Sequence, residues 1–119
     1  MRKVNLVDAF ASFSEHWQPR IAGELNDSYV KLAKLKGEFV WHHHVEEDEL
    51  FLVIQGELTI RLPDGDLVLH PGEFAIIPRG VEHCPAAREE VHVLLLEPKG
   101  TCNTGNLENE RTFVAEWLP

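Results

Sequence analysis

The residues equipped for chemistry gather in the stretch GEFVWHHHVEEDELFLVIQG, from Gly37 to Gly56, which sets three histidines and a glutamate between two glycines and then runs into an apolar strand. His42 and His44 are two apart, so on an extended backbone their imidazoles leave the same face roughly 6–7 Å apart along the chain. Two imidazoles at that span can converge on one cation. Glu49 follows a short polar bend and would face back toward the same point if the histidine segment and the ELFLVIQG strand pair. Metal chelation is therefore the first chemistry to test. A fourth potential ligand, His83, lies at the end of GEFAIIPRGVEH in the second half of the chain.

Such a site needs strands and turns to position it, and composition sets the scale of the scaffold. With 119 residues, 44% hydrophobic, the chain is long enough for one core and too short for two. A formal charge of −9 and a pI near 5.1 argue against a nucleic-acid backbone or an anionic membrane surface as partner, because phosphate needs a cationic footprint. No apolar run approaches the ~18 residues of a membrane span, and MRKVNLVDAF does not read as a signal peptide. A soluble, cytoplasmic protein is the expectation. Cys84 and Cys102 offer neither a disulfide framework nor a zinc-type pair and read as free thiols.

Along the chain, Leu6, Ala9, Phe10 and Phe13 have the spacing of one helical face, with Asn5 as N-cap. Pro19, Gly23 and the Asn26-Asp27-Ser28 cluster break that pattern and leave room for short edge strands between Trp17 and Leu25. From Tyr29 to Gly37, Val30, Leu32 and Leu35 stand among Lys31, Lys34 and Lys36, which predicts a half-buried strand. ELTIRL alternates, and Pro63-Asp64-Gly65 turns it back into DLVLH as a hairpin. HPGEF is a second turn, FAIIP a short buried strand, PRGVEH a third turn and EVHVLLLEP a last strong strand. Short strands punctuated in this way predict an all-β antiparallel sandwich or barrel, not βαβ units. The end of the chain, ERTFVAEWLP, reads as a terminal strand or a short helix, with Phe113, Val114, Trp117 and Leu118 expected to dock on this domain or on a neighbour.

Gly37, His42, His44, Glu49 and Gly56 resemble cupin motif 1, and Gly72, Pro78, Gly80 and His83 resemble cupin motif 2. The two stretches cover about the middle half of the chain. Two departures are visible. The asparagine usual four residues after the motif 2 histidine is Ala87, and the interval between Gly37 and the first histidine is one residue short. Only the pair His42 and His44 keeps the family's distance to Glu49. The resemblance implies a single domain over residues 1–119, an all-β double-stranded β-helix or jelly-roll barrel with a short N-terminal helix, its core at about residues 29–98 and a C-terminal extension over 99–119. It further implies that His42, His44, Glu49 and His83 converge on one divalent transition metal inside the barrel, and that two barrels pair as a homodimer. Three imidazoles and a carboxylate, with no thiolate, suit Fe, Mn, Ni, Co or Zn. A six-coordinate ion would keep two positions open for water or for a small-molecule substrate held in the barrel.

The remaining chemistry-bearing residues have plainer roles. His16, His70 and His92 read as surface or hydrogen-bonded histidines, and His43, facing away from its neighbours, as structural or at a subunit contact. Glu46-Glu47-Asp48 is a solvated bend, and Cys84 is buried packing. Arg61, Tyr29 and Gln55 are not assigned to the inner face, and Arg61, Arg79 and Arg88 are the only cations near enough to receive a phosphorylated substrate. Three functions fit: a metal-dependent enzyme of isomerase or lyase type acting on a small oxygenated molecule such as a sugar or sugar acid, an iron-dependent dioxygenase, or a non-catalytic binder of metal or small ligand.

Overall fold

Asn5 starts the only helix, α1 (Leu6–Ala11), its Oδ1 accepting the Asp8 N–H at 3.0 Å, the cap geometry expected from the sequence. The computed structural model, which describes residues 1–119, otherwise consists of strands β1 (Arg20–Leu25), β2 (Ser28–Glu38), β3 (Glu49–Gln55), β4 (Leu58–Arg61), β5 (Leu67–Leu69), β6 (Phe74–Ile77), β7 (Cys84–Pro98) and β8 (Glu116–Trp117). They form an eight-stranded jelly roll, all antiparallel except for the β1–β8 pair.

The long strand β7 organises the barrel. Its first residues pair with β4, its last residues with β3, and β2 runs beside nearly all of it. EVHVLLLEP thus accounts for only the second part of a strand that begins at Cys84. Alternation in β7 and β3 points Val91, Val93, Leu95, Phe51 and Val53 into the main core together with Leu58 and Ile60 of β4. Where the β3–β4 turn crosses β7, Gly56 takes φ 91°, and a Cβ there would lie 3.0 Å from the Glu90 carbonyl oxygen, so both conformation and space require glycine.

The half-buried strand expected from Tyr29 is corrected by the structure, because β2 is buried on both faces from Lys31 to Leu35. Ala33 and Leu35 face the barrel, while Leu32 packs against Phe10, Phe13 and Ala22 under the helix. The two lysines within this span go inside as well. Lys34 Nζ donates to the Phe13 carbonyl at 2.6 Å and sits over the Phe13 ring, and Lys31 Nζ lies 2.8 Å from Glu97 Oε1. The chain end forms the short strand β8 and not a helix, with Leu118 N–H donating to the Ile21 carbonyl and Trp117 set edge-on to Tyr29. Val114 does not dock: it is 86% exposed. Both cysteines are free thiols, Cys84 buried and Cys102 partly so. No helix is long and apolar enough to cross a membrane.

Candidate metal centre and its pocket

Residues 39–48 belong to no regular strand, so the histidine segment does not pair with β3 as anticipated. It pairs with the motif carrying the fourth histidine. His42 N–H donates to the His83 carbonyl at 3.0 Å and His83 N–H returns to the His42 carbonyl at 2.9 Å, while Gly80 N–H donates to the His44 carbonyl at 2.7 Å. This two-residue bridge, and not a hairpin, sets the His42 and His83 rings 4.4 Å apart, centroid to centroid. Asp48, in the acidic bend, accepts the Arg79 N–H at 2.9 Å and ties that turn to the start of β3, where Glu49 points inward.

His42, His44, Glu49 and His83 are all buried, and one donor atom from each lies within 4.8 Å of the others. His44 Nε2 and His83 Nε2 stand 3.3 and 3.5 Å from Glu49 Oε1. Metal–donor bonds of about 2.1 Å place neighbouring donors roughly 3.0–3.4 Å apart, so these separations suit one shared transition-metal ion. The protonation pattern suits it too. The Nδ1 atoms of His42 and His83 each lie 2.9 Å from a backbone carbonyl, of Val40 and Val81, which fixes the hydrogen on Nδ1 and leaves Nε2 a free lone pair. His44 Nε2, His83 Nε2 and Glu49 Oε1 are buried without a hydrogen-bond partner, a costly arrangement for polar atoms that a cation would satisfy. Burial, assisted by the neighbouring His83, depresses His42 to a pKa of about 4, so it is a neutral ligand at pH 7. Burial pushes Glu49 up, but the Glu97 carboxyl and the imidazoles of His44 and His83 outweigh it and hold Glu49 well below the usual carboxylate range. The residues present therefore fit a divalent ion bound by three nitrogens and one oxygen.

A pocket opens beside His42 and Glu49. Trp17, Phe39 and Phe51 supply aromatic wall, Leu35 and Leu95 aliphatic wall, and the only other polar residues lining it are Glu97 and Asn103. Trp17 and Phe39 stack with centroids 4.6 Å apart, and Trp17 holds φ 62°, a left-handed conformation unfavourable for a bulky residue. Its indole N–H donates to the Lys36 carbonyl at 2.8 Å. The C-terminal extension closes the same region. Asn106 N–H donates to the His43 carbonyl and Asn106 Oδ1 accepts the His43 N–H, both at 2.9 Å, while the Arg111 guanidinium lies over Phe39 and Trp17. Gly105 passes so close that a Cβ would clash with the His43 carbonyl oxygen.

A model described as the cupin domain matches residues 28–97, more than half of the chain, after the expectation drawn from the two motifs. This chain belongs to the cupin family. A solved cupin-2 domain protein from Shewanella frigidimarina is 46% identical, superposes with a TM-score of 0.79, and the likeness covers 80% of this cupin and 93% of that chain. Protein NMB1881 from Neisseria meningitidis is 28% identical with a TM-score of 0.75, over 82% of this chain and 99% of its own. Protein YdbB of Bacillus subtilis is 46% identical over 61 residues, which is 50% of this cupin, and the match spans about half of YdbB (54%).

The other residues singled out in the sequence stay outside the centre. His43 is structural, with Nδ1 2.8 Å from Glu82 Oε1. His16 and His92 both meet Glu90, His92 also stacking on Phe10, and His70 lies at the surface between Glu57 and Glu73. Gln55 is exposed and Tyr29 packs with Trp117 and Lys99. None of Arg61, Arg79 and Arg88 lines the pocket; Arg61 pairs with Glu38 and Arg79 with Asp48. Sequence reasoning missed Glu97, although a signal was present: in EVHVLLLEP it continues the inward series Val91, Val93, Leu95 at every second position. Lys31 continues the inward series Leu35, Ala33 in the same way.

Proposed function

We propose that this cupin is a metal-dependent enzyme of isomerase or lyase type, acting on a small oxygenated molecule such as a sugar or sugar acid held in the barrel. His42, His44, Glu49 and His83 hold one divalent transition metal, Fe, Mn, Ni, Co or Zn, which when bound would polarise a carbonyl or hydroxyl oxygen. One observation carries the reading: His42 and Glu49 line the pocket as well as the donor cluster, so a molecule in the pocket lies against the centre. The chain's own part is to orient and shield. Carbonyls of Val40 and Val81 lock two imidazoles, the aromatic walls exclude water, and Glu97 Oε2 is the protein atom beside the pocket able to hold or pass a proton.

His44→Ala should abolish stoichiometric metal measured by elemental analysis of protein purified without added metal. Wild-type occupancy in that variant would sink the assignment. The same donor set of three imidazoles and one carboxylate also suits iron(II), which makes an iron-dependent dioxygenase the second reading. Oxygen uptake by the iron(II)-loaded protein in the presence of substrate separates the two, because isomerisation and elimination consume no oxygen.

A further inference from the structure

The pocket next to the proposed centre has an unusual balance of charge. Glu97 is 3% exposed, lines the pocket, and directs one oxygen, Oε1, to Lys31 Nζ at 2.8 Å, while its Oε2 is buried without a hydrogen-bond partner in the protein. Lys31 itself is 4% exposed, is committed to that pair and does not line the pocket. No lysine or arginine does. The guanidinium of Arg111 is spent on the faces of Phe39 and Trp17, 4.9 and 5.7 Å from their centroids. Everything else around Glu97 apart from Asn103, His42 and Glu49 is apolar, and Asn103 has both ends of its amide engaged, Nδ2 with the Arg111 carbonyl and Oδ1 with the Phe113 N–H.

From this geometry we infer that the pocket takes an uncharged, hydroxyl-bearing molecule with an apolar ring or chain, that the free Oε2 of Glu97 binds its hydroxyl, and that phosphorylated molecules are excluded. The inference narrows the substrate class of the reading above to its uncharged members, leaving out the sugar acids, and rests on that reading for the role of the centre. A hydroxyl both donates and accepts, so it satisfies Oε2 whether or not that oxygen carries a proton. A phosphate group would bring about two negative charges beside Glu49 into a pocket that no lysine or arginine lines, where the only cation is the ion of the proposed centre, its charge already partly offset by Glu49. The stacked pair Trp17–Phe39 offers its bulk to the apolar part of the molecule, and Glu97, fixed by Lys31, sets which end of it faces the centre. Glu97 is thus a specificity-determining residue for a ligand's hydroxyl.

The test titrates cyclohexanol, cis-1,2-cyclohexanediol and benzyl alcohol, and the phosphate monoesters of the first and last, into metal-loaded and metal-stripped protein, following Trp17 fluorescence and NMR shifts. Trp17→Phe identifies the Trp17 signal. Saturable binding of at least one alcohol, and of no phosphate ester, is the expected result. Glu97→Gln, which can still hydrogen-bond, should stay within about threefold of wild type, whereas the double variant Lys31→Met/Glu97→Leu, which removes the pair together and avoids stranding one buried charge, should lose about tenfold or more in affinity. Its metal content and melting temperature report whether fold and centre survive. Binding of a phosphate ester, above all one lost in Arg111→Ala, overturns the inference. So does an intact double variant that binds the alcohol as wild type does, a double variant that fails to fold while Glu97→Gln loses binding, or absence of alcohol binding throughout. A wild-type protein that binds alcohol through Glu97 but no metal removes the proposed function and leaves this assignment standing.

Discussion

At the scale of single residues, the candidate centre is a set of proton-binding groups held away from protons. His42 is the clearest case. Unfolded, its imidazole titrates near the ordinary histidine value of 6.5; folded, burial first and then the repulsion of His83 lower that to about 4. The unfolded chain therefore binds more protons than the native one across this interval, and stability falls as pH drops from about 6.5 toward 4 and is fully present above it. For metal-stripped protein the loss attributable to His42 is about 3 kcal/mol, taking about 1.4 kcal/mol per pKa unit. Urea midpoints between pH 4 and 7.5 measure it, and His42→Gln should flatten the profile. A slope unchanged in that variant would show that other groups govern the acid limb. The four donors were legible in the sequence because their types and spacing are specific. Glu97 and Lys31 were not, because a charged residue in a strand is ordinarily read as facing water, and only the alternation of β7 and β2 around the barrel shows that both go in.

At the scale of elements, helix, hairpin and turns followed from local signals: the Asn5 cap, the Pro63-Asp64-Gly65 turn, the alternation of ELTIRL. What did not follow was long-range pairing. The His42–His83 bridge joins segments 41 residues apart, and the tail meets the His43 backbone through the backbone N–H and the side-chain Oδ1 of Asn106, a pairing that no local pattern announces. Gly105 is the residue on which that second contact depends. Gly105→Ala would set a methyl against the His43 carbonyl oxygen at a distance no real Cβ adopts, and at φ 59°. Backbone must move, so the tail should lift from the histidine segment. The expected outcome is a loss of about 1–3 kcal/mol in stability and faster amide exchange at His43 and Asn106, with one equivalent of metal still bound. Unchanged exchange at His43 would show that the tail does not hold the ligand segment.

At the scale of the whole molecule, the outward face of the barrel carries a message of its own. Leu50 pairs with Ile76 and Leu96, and Leu52 with Phe74 and Leu94, so these side chains form one apolar band across β6, β3 and β7. Phe74 is 60% and Ile76 55% exposed, more than an isolated chain would leave in contiguous display. We propose that a second copy covers this band about a two-fold axis, the homodimer expected from the sequence. Sedimentation equilibrium should give about twice 13.6 kDa, and Phe74→Glu should return the monomer with metal content intact. A wild-type monomer at micromolar concentration would remove the proposal.

The tail that closes one side of the pocket is also the part of it made last among these residues. His42, His44, Glu49 and His83 are all synthesised before Lys99, whereas Asn103, Gly105 and Asn106 leave the ribosome after it. A nascent chain, or one clipped between Lys99 and Gly105, possesses every donor atom for a cation together with Trp17, Phe39 and Glu97, and lacks the Asn103 side of the pocket and the Asn106 clamp on His43. Limited proteolysis at that one junction would therefore leave the same ion and the same Glu97 carboxyl behind a wider door.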